Sequence, residues 1–208
     1  MRANYYSILK LVILYLILAT TMSSCFGTGG EKIATKYYLI DPIDSEALNF
    51  TSDQSLAVEI IDIHLPQYLE RFHIATRIGE NRLNFSESNQ WGENLRKNLM
   101  RTLSRNLSRL LSTQDIGTPL KRSASTPDYR VQIYIEQFER DVDLKVKLSA
   151  RWQISGNESP EPLGIYSQEM ASLPTEKDNY DQIVSFMRQL YGELSSKIAE
   201  SIIAEINK

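Results

Sequence analysis

Cysteine is almost missing from this 208-residue chain and histidine is scarce: Cys25 is the only cysteine, and His64 and His73 are the only histidines. A single cysteine excludes any disulfide within the chain, so packing alone must hold the fold. The two histidines stand nine positions apart (73 − 64) across Pro66, with no thiol beside them. That is no metal-ligand spacing, and no metal site is expected. The nine glycines are dispersed and build no phosphate-cradling loop. Neither a Gly-x-Ser-x-Gly elbow nor a Ser-x-x-Lys pair stands in a suitable setting. Asp141 and Asp143 fall where a hairpin turn is expected, and solvation accounts for them. No catalytic set and no cofactor are therefore expected.

Acid is absent from residues 1–24, which carry Arg2 and Lys10, then an apolar run over 11–19, then Thr20, Thr21, Met22, Ser23 and Ser24. That order is the layout of a secretory signal peptide. A membrane span needs roughly 20 apolar residues, and this run is about half as long. An unpaired thiol in an exported protein is a liability, yet here the thiol stands directly behind Met22, Ser23 and Ser24. The site resembles a bacterial lipobox, which implies cleavage before Cys25 and acylation of that residue. Phe26 stands where an Asp often retains a lipoprotein in the inner membrane, so the resemblance points to the outer membrane, facing the periplasm. Removing residues 1–24 leaves 184 residues (208 − 24), enough for one domain with a real core. The mature charge is 21 basic minus 26 acidic residues, or −5, which argues against nucleic acid as the main partner.

The expected organisation is a signal peptide over 1–24, a lipidated Cys25 with a Gly-containing tether to residue 36, and one domain over 37–208. Short strands are expected at 37–40, at 56–63 (buried on both faces near its middle), at 73–78 and at 81–85. From Gln90 to Ser112 the apolar residues Trp91, Leu95, Leu99, Leu103, Leu107 and Leu111 recur every four positions, which predicts one amphipathic helix. Its basic row, Arg96, Arg101, Arg105 and Arg109, admits two readings. It is either a solvated face with partners such as Glu93 or a surface for phospholipid headgroups or an acidic partner. Residues 115–128 read as a loop. Alternation over 129–136, again over 142–154, and over 163–172 predicts an antiparallel meander. The last helix is expected after Pro174, with Thr175 as its N-cap and a bend at Gly192. Together these give an α+β fold, a largely antiparallel sheet with two long amphipathic helices packed on one face.

One group of residues carries a resemblance. Tyr37-Tyr38-Leu39 lies soon after the cysteine, followed by Leu65-Pro66-Gln67-Tyr68-Leu69-Glu70-Arg71, by Ile74-Ala75-Thr76-Arg77, and by Trp91-Gly92-Glu93-Asn94-Leu95. Their order resembles the ABC-type transport auxiliary lipoproteins of the PqiC/YmbA type. Phe72, Gly92 and Asn94 depart from the family's usual residues. The resemblance implies a non-catalytic lipoprotein that works with an MCE-type periplasmic substrate-binding protein and its ABC transporter in lipid traffic between the membranes. It also implies docking on the MCE protein and a possible homo-oligomeric ring. A lipoprotein that escorts an outer-membrane channel or another envelope complex is the alternative. Leu65, Pro66, Tyr68, Leu69 and Arg71 are the expected docking element, a proline-constrained loop carrying an aromatic and an ion pair. A structural crossover whose Tyr68 and Leu69 cap the core would use the same residues.

Overall fold

The computed structural model describes residues 34–44, 48, 56–157 and 161–208, together with Lys10, Val12, Ile13 and Tyr15. The chain divides into two compact units, Met1–Ala34 and Thr35–Lys208. In the first, the described positions 10, 12, 13 and 15 are helical. The remainder of the expected signal peptide and Cys25 lie outside the described residues. No helix among the described residues is long and apolar enough to cross a membrane.

The second unit runs β1 (Lys36–Tyr38), β2 (Val58–His64), a 3-10 turn (Gln67–Glu70), β3 (His73–Gly79), β4 (Arg82–Trp91) and α1 (Leu95–Leu110). It continues with β5 (Ile116–Gly117), β6 (Tyr129–Arg140), β7 (Lys145–Gly156), β8 (Pro162–Pro174) and α2 (Tyr180–Ile206). This is an α+β fold. The meander β6–β7–β8 is antiparallel, as its alternation predicts. The other half makes the sheet mixed: β1 runs parallel to β4, and β2 runs parallel to both β5 and β6. β2 and β3 lie one after the other along the same edge of β6, both parallel to it. The segment from Leu65 to Phe72 is the detour between them.

α1 packs over β2 and β5, and α2 over β6, β7 and β8, with the two helices against each other. Leu95, Leu99, Leu103 and Leu107 of α1 join Val131, Ile133, Val146, Leu148, Ile154, Leu194 and Ile198 in one buried core. Each such side chain stabilises the fold by about 1.5–3 kcal/mol through removal from water. The opposite sheet face is polar. There His64 stacks on Tyr134 at 4.6 Å, and Arg151 reaches Glu136 at 2.8 Å.

Several expectations are corrected. Trp91 is buried but ends β4, and the helix begins after Asn94, whose side chain accepts from Lys97 N–H at 3.2 Å. β2 is not buried on both faces, because Ile61 is 39% exposed. Residues 116 and 117, expected in a loop, pair with Val58 and Glu59. Val142 and Leu144 do not extend the β7 alternation; they lie in the turn before it, where Leu144 takes φ 65°. Thr175 caps no helix: its backbone N–H and its hydroxyl both donate to the Leu144 carbonyl, at 2.8 and 2.9 Å. That contact holds Leu144 in a backbone region costly for a branched residue. Asn179 caps α2 instead, accepting from Gln182 N–H at 3.1 Å. α2 runs unbroken through Gly192, where a Cβ would stand 2.6 Å from the Ile43 side chain. Close approach of another segment, and not a bend, explains that glycine.

Candidate docking surface

The crossover between β2 and β3 begins at Pro66, whose φ of −57° suits entry into the 3-10 turn. Leu69 points into the core and is 3% exposed. Leu65 and Tyr68 pack partly buried against the core. Pro66 is also half-buried, whereas Arg71 is exposed with its guanidinium 4.6 Å from the centre of the Phe85 ring. Phe72, the next residue, is 58% exposed.

Beneath the crossover lies Glu139, 0% exposed and surrounded by donors. The Tyr68 hydroxyl donates to Oε2 at 2.7 Å, and Phe138 N–H to the same oxygen at 3.1 Å. Arg77 donates to Oε1 through Nη2 at 2.9 Å and Nε at 3.2 Å, and Gln137 donates at 3.2 Å. A buried carboxylate is tolerable only with its lone pairs satisfied and a counter-charge present, and both conditions hold here. Burial first, then the hydrogen bond to Glu139 and the charge of that carboxylate, push the Tyr68 hydroxyl above its usual range. Burial works against the Arg77 charge, but the Glu139 bonds outweigh it and raise that group. The network continues outward. Arg77 lies 3.9 Å from Asp141, and Asp141 accepts from Lys147 at 2.6 Å. Burial would raise Asp141, yet the Lys147 hydrogen bond and the Val142 N–H bring it below the ordinary carboxylate range.

Arg77 and Lys147 also line a groove of about 580 Å³ on the polar sheet face, with Glu136, Gln137, Ser149 and Glu169. Its cations face carboxylates, so the groove offers hydrogen bonds of both signs and no activated nucleophile. Among the described residues no group of three His, Cys, Asp or Glu side chains is placed to hold a metal ion. His64 lies against Tyr134 and Gln132, and His73 against Gln90.

The five residues expected to dock thus share one crossover, whose organiser, Glu139, expected in a connection, lies in β6. The signal is a phase jump: apolar residues at 131, 133 and 135 are followed by Phe138, three positions on. The register shift between Ile135 and Gln137 is the bulge this jump reports.

The description "ABC-type transport auxiliary lipoprotein component" matches residues 37–199. The chain belongs to the ABC-type transport auxiliary lipoprotein family. The motif residues of β1, the crossover, β3, β4 and α1 all fall inside the matched stretch. No curated protein matches this auxiliary lipoprotein. Among solved structures, an uncharacterized protein aligns over 81% of this chain and 99% of its own, at 21% identity and a TM-score of 0.60. A Xanthomonas campestris protein of the DUF330 family aligns over 84% of this chain and 95% of its own, at 11% identity and a TM-score of 0.65. These likenesses establish the fold of the auxiliary lipoprotein alone.

Proposed function

We propose that this protein is an acylated, non-catalytic subunit on the periplasmic face of the outer membrane. It docks on an MCE-type substrate-binding protein and serves an ABC transporter in lipid traffic between the membranes. In this reading residues 1–24 are removed, Cys25 carries the lipid, and residues 37–208 are the docking domain. Family membership supports an auxiliary role in ABC-type transport. The observation that carries the docking reading is the presentation of residues 65–72. Leu69 in the core and Tyr68 on Glu139 fix the loop from inside, leaving Arg71 and Phe72 facing outward on a held backbone. Arginine and large aromatics on a preorganised loop are the residue types that dominate binding energy. In a homo-oligomeric ring each copy would present the same loop.

Affinity capture of the full-length protein from detergent-solubilised membranes, read by mass spectrometry, tests the proposal. The expected result is recovery of an MCE protein with its permease and ATPase, reduced for Arg71→Ala and Phe72→Ala although both variants remain folded at the capture temperature. Recovery of a secretin or barrel without any MCE protein would sink it in favour of a channel-escort role.

A further inference from the structure

Charge is segregated along this chain. Residues 94–127 hold seven Lys or Arg and one Asp, a net +6, while the remaining residues sum to −9 (−3 − 6). α1 carries Arg96, Lys97, Arg101, Arg105 and Arg109 and no acid. The one acid, Asp115, is occupied by its own loop, accepting from Ser123 Oγ, Ala124 N–H and Ser125 N–H. Acids from elsewhere in the fold partner some of the cations: Glu93 holds Arg101, Asp62 and Glu70 face Arg96, and Asp44 faces Arg109. Part of the row is thus the solvated face the sequence allows. Lys97 and Arg105, and Lys121 and Arg122 after β5, make no ion pair among the described residues.

The second observation is apolar. Thr118 and Lys121 exchange backbone hydrogen bonds at 2.7 and 3.0 Å, closing a tight turn over Pro119 and Leu120. Leu120 at its tip is 78% exposed and contributes nothing to the core. The turn lies alongside α1. Pro119 and Leu120 share a hollow of about 110 Å³ with Lys97, Met100 and the Arg96–Asp62 pair. Lys121 shares another of about 310 Å³ with Arg105 and Arg109. An exposed leucine beside unpaired cations is the arrangement by which a peripheral protein meets an anionic bilayer: the cations sit among headgroup phosphates and the apolar tip enters the acyl boundary.

We infer that α1 and the 118–122 turn form a second membrane contact, a face for anionic phospholipid that orients the domain on the bilayer. An acidic protein surface would satisfy the cations but would give the exposed Leu120 tip no acyl layer to enter. The required reach is available, since Cys25 precedes Lys36 by eleven residues (36 − 25). A chain spans up to about 3.3–3.6 Å per residue, so this segment can extend to about 40 Å. The inference does not depend on which transporter the protein serves.

A probe at residue 120 tests it. Leu120→Cys in the full-length protein is labelled with an environment-sensitive fluorophore and mixed with phosphatidylcholine vesicles with or without phosphatidylglycerol. Ser167→Cys on β8, labelled alike, is the control position. A blue shift and quenching by spin-labelled lipid at 120, seen with phosphatidylglycerol and lost in Arg105→Glu/Lys121→Glu, is the expected result. The comparison is between compositions and between positions, so the amount of protein that the anchor brings to the vesicle does not affect it. An aqueous signal at 120 in both vesicles, an equal signal at 167, or a signal at 120 evoked only by an acidic protein would overturn the inference.

Discussion

The side-chain amide of Asn98 grips the backbone of Ile40 from both sides: Ile40 N–H donates to Oδ1 at 2.7 Å, and Nδ2 donates to the Ile40 carbonyl at 3.1 Å. Thr102 Oγ1 donates to that same carbonyl at 2.6 Å. One helical turn on, Asn106 accepts from Ile43 N–H at 3.2 Å and donates to Ser195 Oγ of α2 at 3.0 Å. The three polar side chains form a buried file on α1 beside its leucines. They turn residues 40–43 into a strap over the groove between the helices.

Removing the amide leaves a buried N–H without an acceptor. Asn98→Ala is expected to cost about 2–3 kcal/mol, and Thr102→Val only about 1, because Asn98 still serves the carbonyl. Denaturant unfolding should show lower midpoints at unchanged slope. Equal losses for the two variants would contradict this division.

The crossover separates stability from recognition. Tyr68→Phe removes a hydrogen bond to a charged group and should cost about 1.5–3 kcal/mol. Arg71→Ala gives up an exposed stack on Phe85 worth about 0.5–1 kcal/mol. Capture of the transporter should nevertheless suffer more from Arg71→Ala than from Tyr68→Phe. Thermal melting and affinity capture on the same samples check both halves.

The 115–125 loop should hold in acid until the Asp115 carboxyl takes up its proton. Hydrogen bonds from Ser123, then from Ser125 and Ala124, hold the Asp115 carboxyl at about 2 against an ordinary 3.8. The folded value is the depressed one, so the loop's stabilisation is fully present above 3.8 and is lost as pH falls through about 2. The Ala124 and Ser125 amide signals should move over that interval in an NMR titration. In Asp115→Asn they should not follow it.

Cys25→Ser is expected to leave the unfolding transition of the domain unchanged and to abolish membrane attachment. Fractionation of cells decides this. A variant held in the membrane fraction through an uncleaved N-terminal segment would refute acylation as the anchor.

Local pattern made α1 and the meander legible, since a spacing of four or of two records which side faces the core. It failed where the partner is distant. Asn98, Thr102 and Asn106 carry no local sign of their role, because the strap they hold lies 58 positions or more away. Trp91 continues the leucine phase into β4, so periodicity alone extended the helix backwards. The inward and outward sides of residues 65–71 depend on Glu139, 71 positions from Tyr68. A crossover without a period carries no local sign of which residues it buries.

The strap also determines how the domain meets a pull. Tension on the N-terminal side of Lys36 reaches first the parallel β1–β4 pairing and then the clamp at Ile40 and Ile43. Those residues are tied to α1 and, through Asn106–Ser195 and Arg188 on the Pro42 carbonyl, to α2. The backbone contacts of Ile40 and Ile43 lie close together and are tied to one helix pair, so they resist together and do not unzip one at a time. A lipoprotein tugged between a bilayer and a large assembly would thus be held first by its two helices, before the load reaches the meander on which α2 packs.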